Sequence, residues 1–180
     1  MKFKQTCVLF TCTLISLLMS SCFGGATYSI DNPTDQAIEV SIDGKDPIKL
    51  EAKEFKRMDN TLSLGEHTMK IGDGEEIKFN LDVDHAVLNP TKSTYVIAIQ
   101  EYGTGFASSS NDTIITIDGV KYEGPFPLVS DAPFIYTGNI NFNIDKPFKD
   151  EITSSKTGTV TLKKLFRKSE FIEYYNKEYR

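Results

Sequence analysis

The chain has 180 residues and a formal net charge of −5, with 20 Lys and Arg residues against 25 Asp and Glu residues. A chain of this length can bury a core of its own, so it is expected to form one domain or two small ones. The acidic balance argues against nucleic acid as a partner, because binding to phosphates requires a positively charged face.

The N-terminal segment has the pattern of an export signal. Two lysines precede an apolar stretch over 8–19, and two serines come directly before Cys22. The stretch is shorter than the roughly 20 apolar residues that a transmembrane helix needs. The segment 18–22, Leu-Met-Ser-Ser-Cys, resembles the lipobox of bacterial lipoproteins, in which the cysteine is acylated and becomes the first residue of the mature protein.

This resemblance implies a signal peptide over 1–21, a lipid attached to Cys22 and a short tether over 22–26. Two alternatives stay open: an uncleaved transmembrane anchor, and cleavage by the ordinary signal peptidase near Ser20 or Ser21. The other two cysteines of the chain lie inside the predicted signal peptide. The mature body would therefore have no internal disulfide, and its core must supply its stability.

The residues after Cys22 bear on where the protein is expected to reside. Cys22 is followed by Phe23 rather than by an aspartate, and no acidic run comes after it. In bacterial lipoproteins these features imply an outer-membrane protein that faces the periplasm. Two or three acyl chains, such as palmitate, would hold it at the membrane without a transmembrane helix.

Alternation of apolar and polar residues dominates the rest of the chain and predicts β-strands. Three strand pairs are predicted as hairpins, because a short glycine-containing turn separates the two strands of each pair. They lie at 37–42 with 47–50, at 67–71 with 76–81, and at 113–117 with 120–122. Further strands are predicted at 94–102, 140–144 and 159–166.

Short strands between turns, without helices that could connect parallel strands, indicate a mostly β fold, an antiparallel β-sandwich. The sandwich is predicted as a single domain over 27–180, or as two sub-units over 27–88 and 92–180. Only the C-terminus has a helical pattern, with Ser169 as its N-cap. An aromatic stripe would dock this helix on the sheet: Phe171, Tyr174 or Tyr175, and Tyr179.

Part of the chain resembles a known family of envelope modules. Within 38–71, the patterns V-x-I-D-G-K, P-I-K-L and L-x-L-G-E-H-T-M-K-I resemble PEGA domains, which are small Ig-like β-sandwiches of bacterial envelope proteins. The resemblance covers about a fifth of the chain and lacks the Pro-Glu-Gly-Ala signature itself. It implies an Ig-like fold and an envelope setting, and it implies no activity.

Few residues have the spacing of a catalytic or metal-binding motif. His67 and His85, the two histidines, lack the H-E-x-x-H spacing of a zinc site. Five acidic residues within 73–84 lack the spacing of a calcium loop. The glycine motif at 103–108 is not followed by a helical pattern, as a dinucleotide site requires. The sequence therefore predicts no catalytic residue, no metal and no cofactor.

A basic island interrupts the acidic chain near its end: Lys163, Lys164, Arg167 and Lys168. One interpretation is that these charges protect an exposed strand end from pairing. Another is that they contact anionic lipid headgroups. The second interpretation predicts that reversing all four charges leaves folding intact but reduces the association of the unlipidated body with vesicles.

The sequence thus indicates a lipid-anchored envelope module without catalytic activity, which binds a protein partner or assembles with itself. Sheet edges and aromatic residues are candidate contact sites, although large apolar residues usually belong to the core. The aromatic candidates are Phe126, Phe134, Tyr136 and Phe142. The alternative is an envelope hydrolase or ligand-binding protein, and a concave pocket joining His67 or His85 to carboxylates would favour it.

Overall fold

The computed structural model of the protein describes residues 25–103, 112–149 and 159–180. Within these ranges the protein is mostly β and has one short helix at the C-terminus, which confirms the predicted fold class. Cys22 lies outside the described residues, and so does the predicted glycine loop beyond Gly103.

The strands follow one another as β1 (Gly25–Asp31), β2 (Ile38–Ile42), β3 (Ile48–Leu50), β4 (Phe55–Ser63), β5 (Gly65–Ile71), β6 (Glu76–Leu81), β7 (His85–Leu88), β8 (Tyr95–Tyr102), β9 (Thr113–Ile117), β10 (Val120–Gly124), β11 (Leu128–Ser130), β12 (Phe134–Tyr136) and β13 (Val160–Arg167). The helix α1 (Lys168–Glu178) follows β13 directly.

The three predicted hairpins are present as β2 with β3, β5 with β6, and β9 with β10. In the hairpins β2–β3 and β9–β10, both residues of the Asp-Gly turn have positive φ: 51° and 66° at Asp43 and Gly44, and 50° and 79° at Asp118 and Gly119. In the hairpin β5–β6, Gly72 has positive φ, at 48°. Tight hairpin turns require this backbone conformation, which explains why a glycine stands at each of them.

The prediction of a strand at 140–144 is wrong. The segment forms one isolated bridge, between Phe142 and Lys164, and otherwise turns. The carbonyl oxygens of Asn143, Ile144 and Lys146 point towards the Lys164 ammonium group instead of towards a neighbouring strand. A regular β-ladder cannot form here, because these backbone carbonyl oxygens accept hydrogen bonds from a side chain instead of from a neighbouring strand.

Two further predictions need correction at the chain ends. Gly25 and Ala26, assigned to the tether over 22–26, belong to β1, and Ala26 is fully buried. Ser169 is not the N-cap of the helix, since Arg167 holds that position without a side-chain cap and Ser169 lies within α1. The cause is that β13 runs directly into α1, which leaves no separate capping turn.

The aromatic stripe of α1 docks as predicted. Phe171 is fully buried in a core with Phe126 and Phe166, and Tyr174 and Tyr175 pack against the same core. Burial of such large rings is the main stabilising contribution that a short helix can receive.

The sheets stack in layers. The central sheet has the order β12-β7-β1-β4; the first outer sheet is β3-β2-β5-β6, and the second outer sheet is β11-β8-β13. Alternate residues of the central strands face opposite sides. Leu88 packs with Val40 of the first outer sheet, whereas Val87 packs with Tyr95 and Leu165 of the second. The hairpin β9–β10 and α1 cover the far face of the second outer sheet.

The two halves of the chain share one strand plan. β1 pairs with β4 as β7 pairs with β12, and β2 pairs with β3 and β5 as β8 pairs with β11 and β13. The first strands of the halves, β1 and β7, lie side by side and are parallel, whereas the other pairs of named strands in the described residues are antiparallel. One parallel pair therefore departs from the predicted antiparallel sandwich, because it joins equivalent strands and not consecutive ones.

Each half begins with a strand, β1 or β7, that is followed directly by Asn-Pro-Thr, at 32–34 and at 89–91. The side chains of Asn32 and Asn89 are fully buried, and the Nδ2 atom of each donates to the carbonyl oxygen four residues further along at 2.8 Å. Asn32 Nδ2 also donates to the carbonyl oxygen of Glu51, and Asn89 Nδ2 also donates to the carbonyl oxygen of Ala132. These amides supply the buried turn carbonyls with the hydrogen bonds that water cannot provide.

We predict that Asn89→Ala lowers the free energy of unfolding by about 2–4 kcal/mol, because it leaves several buried backbone groups without partners. Asn32→Ala should have a similar effect, as measured by urea unfolding. Asn80→Ala, at an exposed position of β6, is the control and should change the free energy by less than about 0.5 kcal/mol. An Asn89→Ala variant as stable as this control would contradict the assignment.

Candidate functional site

Both ring nitrogens of His67 are occupied by acceptors. Its Nδ1 atom lies 2.8 Å from Asp43 Oδ2, and its Nε2 atom lies 2.7 Å from the backbone oxygen of Ser63. A carboxylate and a carbonyl oxygen only accept hydrogen bonds, so each ring nitrogen faces an acceptor and neither faces the hydrogen of a nucleophile. Ser63 Oγ is 3.5 Å from Nε2, but this nitrogen already serves the carbonyl group. Ser63, His67 and Asp43 therefore do not form a hydroxyl nucleophile activated by a neighbouring base.

The Asp43 carboxylate ties the first Asp-Gly turn to β5. It accepts a hydrogen bond from the Thr68 N–H at 2.9 Å as well as the one from His67. Burial raises the pKa of Asp43, but these hydrogen bonds outweigh it and hold that pKa below its usual value. A shallow cleft does join His67 to Asp43 and Glu66, which is the feature that would favour an enzyme. Because both ring nitrogens of His67 contact acceptors of the protein itself, His67 has a structural role in this cleft.

The four residues of the basic island do not form one surface. Lys164 and Arg167 are only 5% and 7% exposed, and Lys168 pairs with Asp118 at 3.0 Å. Two of the four charges therefore cannot reach a headgroup, which contradicts the headgroup interpretation of the island.

Lys164 holds the segment that follows β12 against β13. Its Nζ atom donates to three backbone carbonyl oxygens, those of Asn143, Ile144 and Lys146. Burial lowers the pKa of Lys164, yet three acceptors match the three hydrogens of an ammonium group. The geometry is that of a structural cation and not of a free amine nucleophile.

Arg167 and Asp31 form a buried ion pair between the second outer sheet and the central sheet. Arg167 Nη2 lies 2.6 Å from Asp31 Oδ1, and Arg167 Nε lies 3.0 Å from Asp31 Oδ2. Tyr95 donates its hydroxyl hydrogen to Asp31 Oδ2 at 2.6 Å. Two further acceptors, the Lys53 carbonyl and the Glu170 carboxylate, complete the guanidinium shell. Burial lowers the pKa of Arg167, but the hydrogen bond and charge of Asp31 outweigh it and raise that pKa.

A polar cleft of about 340 Å³ opens on the central sheet. Thr27 and Ser29 are alternate residues of β1, and their partners on the neighbouring strands are His85 and Arg57. Paired residues share a face of a sheet, so these four side chains form the floor of the cleft. Thr137, Gly138 and Asn143 contribute its wall.

The polar cleft has the donors of a binding site and lacks a catalytic arrangement. The Thr27 hydroxyl group lies 2.5 Å from His85 Nδ1, whereas Asp84 Oδ2 is 3.8 Å from His85 Nε2, beyond hydrogen-bond distance. Arg57 Nη2 lies 2.8 Å from Asp145 Oδ2. No carboxylate therefore orients the imidazole as a base requires.

The acidic residues within 73–84 are not assembled into a site. Those at 73, 75, 76, 82 and 84 are exposed. No group of three or more His, Cys, Asp or Glu side chains in the described part of the chain is placed to hold a metal ion. The absence of a metal from the function of the protein stays a prediction.

An apolar groove lies between two edge strands, β11 of the second outer sheet and β12 of the central sheet. We call it the edge groove. Its volume is about 290 Å³, and its apolar lining consists of Ile97, Pro127, Leu128, Phe134, Ile135 and Tyr136. Leu128 and Tyr136 are 40% and 42% exposed.

The four aromatic residues predicted as contact sites lie in two different environments. Phe126 and Phe142 are buried in the core. Phe134 is half-buried, Tyr136 is exposed, and both line the edge groove. The sequence pattern predicted neither β11 nor any strand of the central sheet, β1, β4, β7 and β12. Strands of three residues, such as β11 and β12, have no readable alternation. The polar cleft was also missed, because its side chains come from distant segments.

Comparison with known proteins finds no matching family model, no similar curated protein and no similar solved structure. Among the described residues, no helix combines the length and the apolar character needed to cross a membrane.

We predict that Arg167→Met lowers the free energy of unfolding by about 3–5 kcal/mol, because it leaves the Asp31 carboxylate buried without its counter-charge. The double variant Asp31→Leu/Arg167→Met should recover much of the loss, since it removes both charges. Lys121→Met, at an exposed position of β10, serves as the control in the same urea experiment. Equal stability of Arg167→Met and this control would show that the pair does not join the sheets.

Alkaline pH should weaken the same cluster through Tyr95. Burial, followed by the negative charge of Asp31, raises the pKa of Tyr95 above the usual tyrosine value. Its contribution to stability is fully present below about pH 10, where the unfolded tyrosine begins to ionise, and is lost as the pH rises further. Tyr95→Phe should therefore lose less stability than the original chain between pH 9 and 11. Lys164 and the other tyrosines are present in both proteins, so they cannot cause a difference between them. Equal losses of stability in the two proteins over this pH range would therefore contradict the prediction.

Proposed function

We propose that the protein is a lipoprotein of the bacterial envelope, anchored through acylated Cys22, whose body binds an extended segment of a partner protein without catalysing a reaction. The expected location is the outer membrane, facing the periplasm. The observation that carries the proposal is the edge groove, where an apolar slot lies between two strand edges that have no neighbour in the described structure.

The composition of the two edge strands supports this role. Natural edge strands commonly carry charged residues that discourage pairing with other chains. β6, an edge of the first outer sheet, contains Glu76 and Lys78, and β4, an edge of the central sheet, contains Lys56 and Arg57. β11 is Leu-Val-Ser and β12 is Phe-Ile-Tyr, so neither contains a charge. These two edges lack the protection that the other two have.

An extended peptide with apolar residues at alternate positions fits this surface. Its backbone would pair with one strand edge, and alternate side chains would enter the slot between Leu128 and Tyr136. Exposed, uncharged edges next to an apolar groove are typical of binding by strand addition. The groove also fits the earlier expectation of a protein partner, and the weak likeness to PEGA modules stays a prediction about setting.

A hydrolase is the less supported function. Concave surfaces lie beside both histidines, but the ring nitrogens of His67 are occupied by Asp43 and Ser63. His85 contacts Thr27 with no carboxylate close enough to orient it. The described residues thus offer no histidine that is both oriented by a carboxylate and placed to accept a hydroxyl hydrogen, whereas they do offer an apolar groove beside two uncharged edge strands.

The edge groove can be tested by photocrosslinking in intact envelopes. A photoreactive residue at position 136 or 128 should crosslink one and the same protein, and Leu128→Lys should reduce the adduct from position 136 at least severalfold. The control is position 114, because Ile114 is 65% exposed on β9, away from the groove. Equal crosslinking from all three positions would contradict a specific groove.

The anchor is tested separately in the same cells. Mass analysis of the N-terminal peptide should find acyl chains on Cys22, and Cys22→Ala should leave the envelope fraction. If Cys22→Ala fractionates unchanged, the anchor is wrong, whatever the crosslinking result at the groove.

A further inference from the structure

We infer that the polar cleft binds the phosphate group of a membrane phospholipid whose headgroup bears hydroxyl groups, as in phosphatidylglycerol. The inference rests on the proposed anchor at Cys22, because the anchor places the cleft at the membrane surface. It goes beyond the edge groove, which lies on other residues and takes a peptide.

The charge of the cleft lining differs from that of the chain. The whole chain carries −5, yet the lining includes Arg57 and His85 and contains no Asp, Glu or Lys. The hydroxyl groups of Ser29 and Thr137 and the amide of Asn143 stand beside the guanidinium group. This combination donates hydrogen bonds to an anionic oxygen and can also contact ligand hydroxyl groups.

Arg57 is oriented and still has donors to offer. Its Nη2 atom lies 2.8 Å from Asp145 Oδ2, which fixes the guanidinium plane. Its Nε and Nη1 atoms have no hydrogen-bond partner in the described part of the chain. A guanidinium group held by one carboxylate can thus present its remaining donors to a phosphate oxygen, for which arginine geometry is well suited. The lining itself has no carboxylate, and the two carboxylates next to it, Asp145 and Asp84, lie beside the cationic side chain of Arg57 and the ring of His85, so an ethanolamine headgroup fits less well.

The proposed anchor lies close in sequence to the cleft. Four residues lie between Cys22 and Thr27, and a fully extended chain covers about 3.5 Å per residue, so the covalent chain allows at most about 17 Å between the acylated residue and Thr27. The headgroup layer of a bilayer is about 5–7 Å deep on each side. A tethered body therefore meets headgroups at a high effective concentration, and even a weak site would be occupied.

A cleft that holds a headgroup would also orient the body. An acidic domain is repelled by an anionic membrane surface. Binding at the polar cleft, whose lining contains no Asp or Glu, would turn this face to the membrane.

The test is a titration of the purified full-length chain in nonionic detergent with deacylated headgroups, followed by NMR of the histidine rings and by the melting temperature. Glycerophosphoglycerol should shift the His85 ring signals in a saturable way and raise the melting temperature, while the His67 signals stay unchanged. Arg57→Gln should weaken the binding at least tenfold. Lys56→Gln is the matched control, because it removes the neighbouring cation of β4, which does not line the cleft.

Two further ligands test whether the cleft binds a lipid headgroup or free phosphate. Glycerophosphoethanolamine should bind several-fold more weakly than glycerophosphoglycerol, and inorganic phosphate should not compete at equal concentration. If inorganic phosphate binds as tightly or more tightly, the cleft is a site for the free anion and the headgroup assignment is wrong. No shift with any of the three ligands, or an equal loss in Arg57→Gln and Lys56→Gln, would overturn the site. Because the titration does not depend on acylation, its failure is distinguishable from failure of the anchor.

Discussion

The buried pair of Arg167 and Asp31 connects the parts of this protein that are most distant in sequence. Asp31 ends the first strand of the central sheet, and Arg167 ends the last strand of the second outer sheet. A bidentate contact in an environment without water is strong only when the remaining donors and acceptors are satisfied. Tyr95, Lys53 and Glu170 supply these partners. The pair therefore joins the two sheets at the point where β13 passes into α1.

The repeated strand plan explains why the central sheet can support two outer sheets. β1 and β7 are equivalent strands placed in parallel at its middle, and the alternation of their side chains sends apolar residues to both faces. Where an outer sheet covers the central sheet, the facing side chains are mainly apolar, with the Asp31–Arg167 pair among them. Where the cover ends, the face carries Thr27, Ser29 and Arg57, and this change forms the polar cleft. The cleft is thus a consequence of how the layers overlap.

The two proposed sites divide the surface by chemistry. The edge groove offers apolar side chains and free backbone edges, which suit a peptide, whereas the polar cleft offers a guanidinium group and hydroxyl groups, which suit an anion. Residues that attract attention as catalytic candidates, His67 above all, instead serve the backbone. His67, with an acceptor at each ring nitrogen, joins the first Asp-Gly turn to the end of β4.

Local sequence determined the strands that alternate clearly, the Asp-Gly hairpins and the aromatic helix, because each depends on residues close together in the chain. It also carried the lipobox pattern around Cys22, which the structure does not describe. Only the tertiary structure decided that Lys164 and Arg167 are buried, that β1 and β7 pair in parallel, and that Arg57 and His85 meet in one cleft. These facts depend on partners tens of residues away. A single sequence shows the charge of a side chain, but only the packing around it decides whether that charge faces water or another charge.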